Sequence, residues 1–217
     1  MNNRKNKTTY SKTVKNIVSD LPFFRVENLV NIDIEKKYIR VLLHRFFVAG
    51  EILRLKKGIY VSKKYLDKIE KANRMNSYLE FIAITLYDPA YLSAEYVLSE
   101  HSVLTENIQA FTLISKNRTR KFVNSLGAFN YKHIKEDLFS GFKIIKKNDF
   151  FINKATIAKA LFDFLYLRKN IITDKSAFLA LRLNVENFKN QDLKEFKKYI
   201  EIEGSEKMKN ILSWLQK

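Results

Sequence analysis

An α+β fold is predicted by three features of the sequence. Between Asp33 and Val61 the chain reads as helix, stop, strand, basic turn and strand. After Asn76 strand-like runs are interleaved with helical ones, and beyond residue 155 helical periodicity dominates. Together these give an N-terminal winged helix-turn-helix, then a mixed α/β body with a helical C-terminus. The expected boundaries are a flexible basic N-terminus over 1–9, the winged helix over 10–62, a linking helix over 63–75 and the mixed body over 76–217.

Residues 10–20 place Val14, Ile17 and Val18 at helical spacing, and Pro22 breaks the run. Residues 24–30 read as a short second helix with Val26, Leu29 and Val30 facing inward, and Asn31-Ile32 as the turn after it. Asp33 is the expected N-cap of the main helix, because its short carboxylate can accept from exposed first-turn amides. Residues 34–49 contain neither Gly nor Pro, and Gly50 stops the helix. At about 100° per residue, Lys36, Arg40 and His44 share one side with Lys37 beside them. Tyr38, Val41, Leu42 and Phe46 point elsewhere and are expected to bury. Residues 51–55 and 59–61 are strand-like, and Lys56-Lys57-Gly58 joins them. Gly58 can take positive φ without a Cβ clash, so a tight hairpin is expected.

A basic helix face followed by a basic hairpin tip suits a duplex. The helix would present Lys36, Lys37, Arg40 and His44 to the major groove, and the wing would place Arg54, Lys56 and Lys57 on flanking phosphates. An ordinary solvated surface would account for the same residues. Charge bears on the choice. The chain carries 40 basic and 23 acidic side chains for a formal net charge of +17, a balance that favours nucleic acid or an anionic membrane surface. Residues 1–75 hold 18 basic and 7 acidic side chains, a net +11, which leaves +6 for nearly twice the length. Part of that excess lies on Lys63, Lys64, Lys68, Lys71 and Arg74, along one side of the linking helix. No apolar stretch is long enough to span a bilayer, the first ten residues lack the apolar segment of a signal peptide, and there is no cysteine. A cytoplasmic location without a membrane partner is the expectation.

In the body, Ser77 can cap a helix that ends at Asp88-Pro89, and Ser93 can cap another over 94–100. Strands are expected over 111–115, 129–134, 142–145 and 150–152. Residues 155–167 form the clearest helix, with Ile157, Ala160, Leu161, Phe164 and Leu165 apolar. Helical segments follow near 174–183, 191–200 and 206–215, the last capped by Ser205, and Tyr199 and Trp214 should help to pack them.

Residues that could carry catalysis do not group. His44, His101 and His133 are far apart and lack Asp or Glu at a ligand spacing, so no metal is expected. Nucleophile elbows, P-loops and dinucleotide fingerprints are missing, and five glycines leave little for a phosphate-cradling loop, so no cofactor is expected either. A helix cap and two surface groups account for Ser93, Glu95 and His101 without a triad. Asp163 falls inside the apolar helix, and a carboxylate there needs a partner. Lys159 stands four residues back, and the two read as a structural pair. The chain is therefore not expected to be an enzyme by itself.

Four stretches resemble one family. HRFFVAGEILRLKKGIYV, residues 44–61, resembles the signature "helix, G-x-L-x-R-hydrophobic-R/K-x-G-hydrophobic-Y" of AbiEi-like antitoxins from type IV, abortive-infection toxin–antitoxin systems. DPAYLSAEYVLSEHSVL, residues 88–104, is similar to the family's Tyr-Ile-Ser segment with its later histidine. FTLISKNRTR, residues 111–120, resembles its strand and Thr/Arg-rich turn, and ATIAKALFDFLYL, residues 155–167, its "A-x-x-E-K-A-L-x-D-L" helix. Ala158 stands where the family usually has Glu, Val97 where its serine-alanine pair would begin, and Ser102 where glycine usually follows the histidine. The resemblance spans roughly residues 10–170. It implies a sequence-specific double-stranded DNA-binding antitoxin that represses its own operon through inverted repeats, an arrangement that admits a homodimer on the DNA. It also implies a C-terminal domain that counters a nucleotidyltransferase-type toxin without a stable complex. The residues themselves leave open a winged-helix regulator without antitoxin activity, an RNA-binding protein or a catalytic one.

Overall fold

The computed structural model describes residues 2–29, 34–106, 108 and 110–215. They divide into two compact units, Met1–Leu79 with Asn124–Leu126, and Glu80–Val123 with Gly127–Lys217. The division at Leu79/Glu80 falls a few residues beyond the expected start of the body at residue 76.

In the first unit, α1 spans Asn2–Val18, and so begins upstream of the helix expected from residue 10. No Gly or Pro interrupts it. The segment expected as a second helix is mostly something else. Only Val26–Leu29 winds, as a single 3₁₀ turn. Phe24 instead forms an antiparallel bridge with Tyr60, donating its N–H at 2.8 Å and accepting one at 2.9 Å. The bridge satisfies backbone groups that a helix would otherwise have to pair, and the two rings stack at 5.8 Å. The expected inward Val30, the Asn31-Ile32 turn and the Asp33 cap lie outside the described residues.

Helix α2 then runs Lys36–Val48. Gly50 follows it at φ +69°, which lets the chain reverse into β1, Ile52–Lys56, and β2, Ile59–Ser62. Ser62 caps α3, Lys63–Lys71, by accepting from the Tyr65 N–H at 3.0 Å. Val14, Val18, Phe24, Leu42, Leu43 and Phe46 belong to the core that these elements enclose. The buried stripe of α2 is Ile39, Leu42, Leu43 and Phe46, and Val41, expected inside, is exposed. Positions 39, 42, 43 and 46 make the tighter i, i+3, i+4, i+7 set.

Helix α4, Met75–Leu86, leads to the second unit. There β3 (Ala90–Leu92), β4 (Phe111–Ser115), β5 (Arg120–Asn124), β6 (Gly127–His133), β7 (Phe142–Lys147) and β8 (Phe150–Ala155) form one sheet in the order β5-β6-β4-β3-β8-β7. It is mixed: β3 runs antiparallel to β4 and parallel to β8, β4 parallel to β6, and β7 antiparallel to β8. The short α5, Ala94–Glu100, leaves the end of β3.

After β8 the chain is helical: α6 (Ile157–Arg168), α7 (Lys175–Leu179), α8 (Asn190–Glu203) and α9 (Glu206–Leu215). The fold is thus α+β with a helical C-terminus. Every residue from Ala158 to Leu165 is buried, because α6 packs against both α5 and α8. Tyr199 meets Phe162 at 5.5 Å, and Trp214 meets Phe178 at 6.1 Å. Among the described residues no helix is long and apolar enough to cross a membrane.

Candidate nucleic-acid interface

The exposed side of α2 is built by its own packing. Burying Ile39, Leu42, Leu43 and Phe46 turns Lys37, Arg40, His44 and Arg45 outward, and all four are exposed. Arg45 was not singled out from the sequence. It joins the outward face because that face centres on Val41, from which Arg45 lies only about 40° away at 100° per residue. Lys36 is also exposed, but it sits toward the edge of the face and its ammonium is 3.6 Å from Glu27. Glu35 holds the N-cap position without a side-chain cap bond.

The hairpin follows directly. Leu53 pairs with Val61 and Arg54 with Tyr60, and the register then shifts so that Lys56 faces Ile59. An extra residue in one strand turns the tip and twists it. Gly58, at φ +82°, closes the turn. Arg54 and Lys57 are exposed, and Lys56 is half-buried. The linking-helix lysines are not all free for a ligand. Lys68 forms an ion pair with Asp20 and also donates to the Ser19 carbonyl at 3.3 Å. On α1, Lys15 is 2.6 Å from Glu51. Ion pairs of this exposed kind contribute little stability, but they fix which cations face outward.

The other charged clusters serve packing. Asp163 Oδ1 is 2.8 Å from Lys159 Nζ, and both side chains are 0% exposed. Asp163 Oδ2 accepts from the Ser93 hydroxyl at 2.7 Å and the Tyr91 hydroxyl at 3.0 Å. Lys159 also donates to the Leu138 carbonyl at 2.7 Å. Burial pushes the Asp163 carboxyl up and the Lys159 ammonium down, and their mutual attraction works against both shifts. Gly141 lies against this pair, where an added Cβ would run into Tyr199 and the Lys159 stem. Ser93 does stand at the N-cap position of α5, but its hydroxyl is spent on Asp163 and makes no cap bond.

A second cluster was not anticipated. Glu80 is fully buried, and its Oε1 accepts from Lys154 at 2.6 Å, Tyr96 at 2.9 Å and Lys147 at 3.0 Å. Lys154 also reaches both oxygens of Glu100 at 2.8 Å. These partners stand up to 74 residues apart, so no local spacing announces them.

The residues that could have formed a triad part company. Ser93 binds Asp163, Glu95 pairs with Arg168, and His101 ends α5 on the surface. His133 Nδ1 donates toward the carbonyls of Lys116 at 3.0 Å and Asn117 at 3.2 Å. A cleft of about 400 Å³ beside the start of α6 is lined by His101, Lys143, Lys154 and Lys189, but also by Asp192 and Glu195. Its charged groups already have partners in part: Glu195 accepts from the Thr156 hydroxyl at 2.6 Å, Asp192 from the Lys189 backbone N–H at 2.9 Å, and Lys154 is paired with Glu80 and Glu100. Among the described residues no three His, Cys, Asp or Glu groups gather as a metal site.

No family model matches the chain, and neither does any curated protein. The functional reading therefore rests on the outward face of α2, the hairpin beside it and the motifs of the sequence.

Proposed function

We propose that residues 10–62 act as a winged helix that binds double-stranded DNA in a sequence-specific manner. The observation that carries this is the outward face of α2, where Lys37, Arg40, His44 and Arg45 are all exposed and the hairpin with Arg54 and Lys57 follows at once. A helix fits the major groove, cations on it can reach base edges and phosphates, and a hairpin tip can hold the adjoining backbone. The charge of +11 on residues 1–75 favours association with any duplex, and the helix side chains supply discrimination.

The resemblance to AbiEi-like antitoxins extends this to a role. We propose that the chain represses its own type IV toxin–antitoxin operon at inverted repeats and that its second unit counters a nucleotidyltransferase-type toxin without a stable complex. The chain works by binding and not by turnover: the groups nearest to a nucleophile–base arrangement, Ser93 and Asp163, are buried and bonded to each other.

A mobility-shift titration tests the reading. The full chain is offered its own upstream DNA, a scrambled duplex and a matched RNA. Tighter binding to the upstream DNA is expected, by roughly 10³-fold or more over non-specific duplex for a specific regulator. Equal affinity for all three would leave a non-specific polyanion binder, and preference for the RNA would make this an RNA-binding protein.

A further inference from the structure

Resting on the duplex-binding reading above, we infer that Val41 is a specificity-determining residue that reads the 5-methyl group of a thymine in the major groove. Val41 is an apolar, β-branched residue at the centre of a basic helix face. It is 42% exposed, whereas Ile39, Leu42, Leu43 and Phe46 around it on α2 are 5% exposed or less. At 100° per residue, Lys37 and His44 lie within about 60° of it on one side and Arg45 about 40° away on the other. All three are exposed, so the valine is ringed by groups suited to phosphates and base acceptors.

The chemistry of the groove narrows what such a residue meets. The major-groove edges of G, C and A offer hydrogen-bond donors and acceptors, and thymine alone adds a methyl group. A valine offers no hydrogen bond and leaves polar base edges unsatisfied, but gains from covering a methyl. Position along the helix favours Val41 over the other exposed apolar residues of α2. Base edges are met by the N-terminal part of a recognition helix. Val41 is the sixth residue of α2, while Phe47 and Val48, 46% and 71% exposed, are its last two.

The test uses the full chain and the tightest duplex found, its upstream DNA or one selected from a random pool. Each thymine in turn is replaced by deoxyuridine, which removes only the 5-methyl, and affinities are measured for the wild type and for Val41→Ala. One thymine per half-site should matter to the wild type, its replacement weakening binding about fourfold, the worth of one buried methyl-sized group. Val41→Ala should bind the thymine duplex about fourfold or more weakly and lose nothing further at that deoxyuridine. Its thermal melt should match the wild type, since the side chain is outside the core. Specific binding in which every deoxyuridine acts equally on both proteins would overturn the inference and leave the duplex-binding reading standing. A Val41→Ala chain that binds as the wild type but loses self-association would assign the residue to a contact between copies. Absence of any preference among duplexes would remove the reading and the inference together.

Discussion

Asp163 and Lys159 stand four residues apart on a helix whose middle is buried on every side. A buried pair of this kind is held by geometry, because desolvation opposes both charges and the hydroxyls of Ser93 and Tyr91 complete the carboxylate's bonding. Removing one partner leaves the other charged in an apolar place. Asp163→Ala should therefore lose about 3–5 kcal/mol of stability. The double replacement Lys159→Met with Asp163→Leu should recover only part of it, because no charge is left unpaired but the Ser93 and Tyr91 hydroxyls and the Leu138 carbonyl lose their partners. The sole tryptophan, Trp214, packs in the same unit, so its fluorescence through a urea titration reports on the right part of the chain. An unchanged midpoint for Asp163→Ala would show that the pair does not hold the unit together. Glu80 adds a pH dependence. Burial pushes its carboxyl up, but Lys154, Lys147 and Tyr96 outweigh that and hold it below the ordinary value of 4.5. A carboxyl depressed in the folded state stabilises above its unfolded pKa, and the contribution is lost as pH falls through the folded value. The loss should appear below about pH 4.5. Glu80→Gln should cost on the order of 2 kcal/mol at pH 7 and show a shallower acid limb in the same titration. An identical acid limb in both proteins would assign the acid sensitivity to other carboxylates.

At the scale of elements, the hairpin carries the clearest consequence. Arg54 and Lys57 are exposed on it and stand apart from the core, so replacing both with Ala should leave the fold intact. Each lost phosphate contact should lower the slope of log affinity against log salt by about 0.9, with similar weakening on all duplexes. Loss of preference for one duplex with an unchanged slope would mean that the hairpin reads sequence. How far such elements are legible in sequence depends on where their information lies. The strand β4 and the helix α9 coincide with their expected ranges, β4 through a five-residue run closed by a turn and α9 through helical periodicity behind Ser205. The strand β3 was missed because it is only three residues long and lies between Pro89 and Ser93, which read as a helix stop and a helix cap. The strand β5, RKFVN, lies where no element is expected from the sequence, and it becomes a strand through pairing with β6. Residues 24–30 carry helical spacing, yet Phe24 is taken by Tyr60, 36 positions away. The candidate site divides in the same way. Lys37, Arg40 and His44 follow from helical geometry, whereas the exposure of Val41 and the diversion of Lys36 to Glu27 are set by which stripe of α2 the core selects.

At the scale of the whole molecule, charge and compactness divide the chain at nearly the same place. Residues 1–75 carry +11 of the +17, and the units part between Leu79 and Glu80. That parting runs through α4, which gives residues 75–79 to one unit and 80–86 to the other. Cutting the chain after residue 75, where the charge divides, would strip Tyr78, whose hydroxyl donates to the Pro22 carbonyl at 2.8 Å, from the first unit, and cutting after Leu79 would sever α4. Full-length variants are therefore the better probe of a division of labour. The variant Lys36→Ala, Lys37→Ala, Arg40→Ala changes only exposed side chains of α2 and should fold normally. If base contacts are each worth about 1–3 kcal/mol, it should lose repression of a reporter placed behind the chain's own upstream DNA. It should still protect cells that express the nucleotidyltransferase-type toxin proposed as its counterpart, because protection is proposed to belong to the second unit. Asp163→Ala should do the reverse at temperatures where that unit melts, losing protection while the purified protein retains duplex binding in a mobility shift. Two readouts that fail separately would make repression and protection independent properties of one chain. If the α2 variant loses protection while its melt and level in the cell match the wild type, protection runs through DNA. The second unit would then serve repression, and a regulator without antitoxin activity would be the better account.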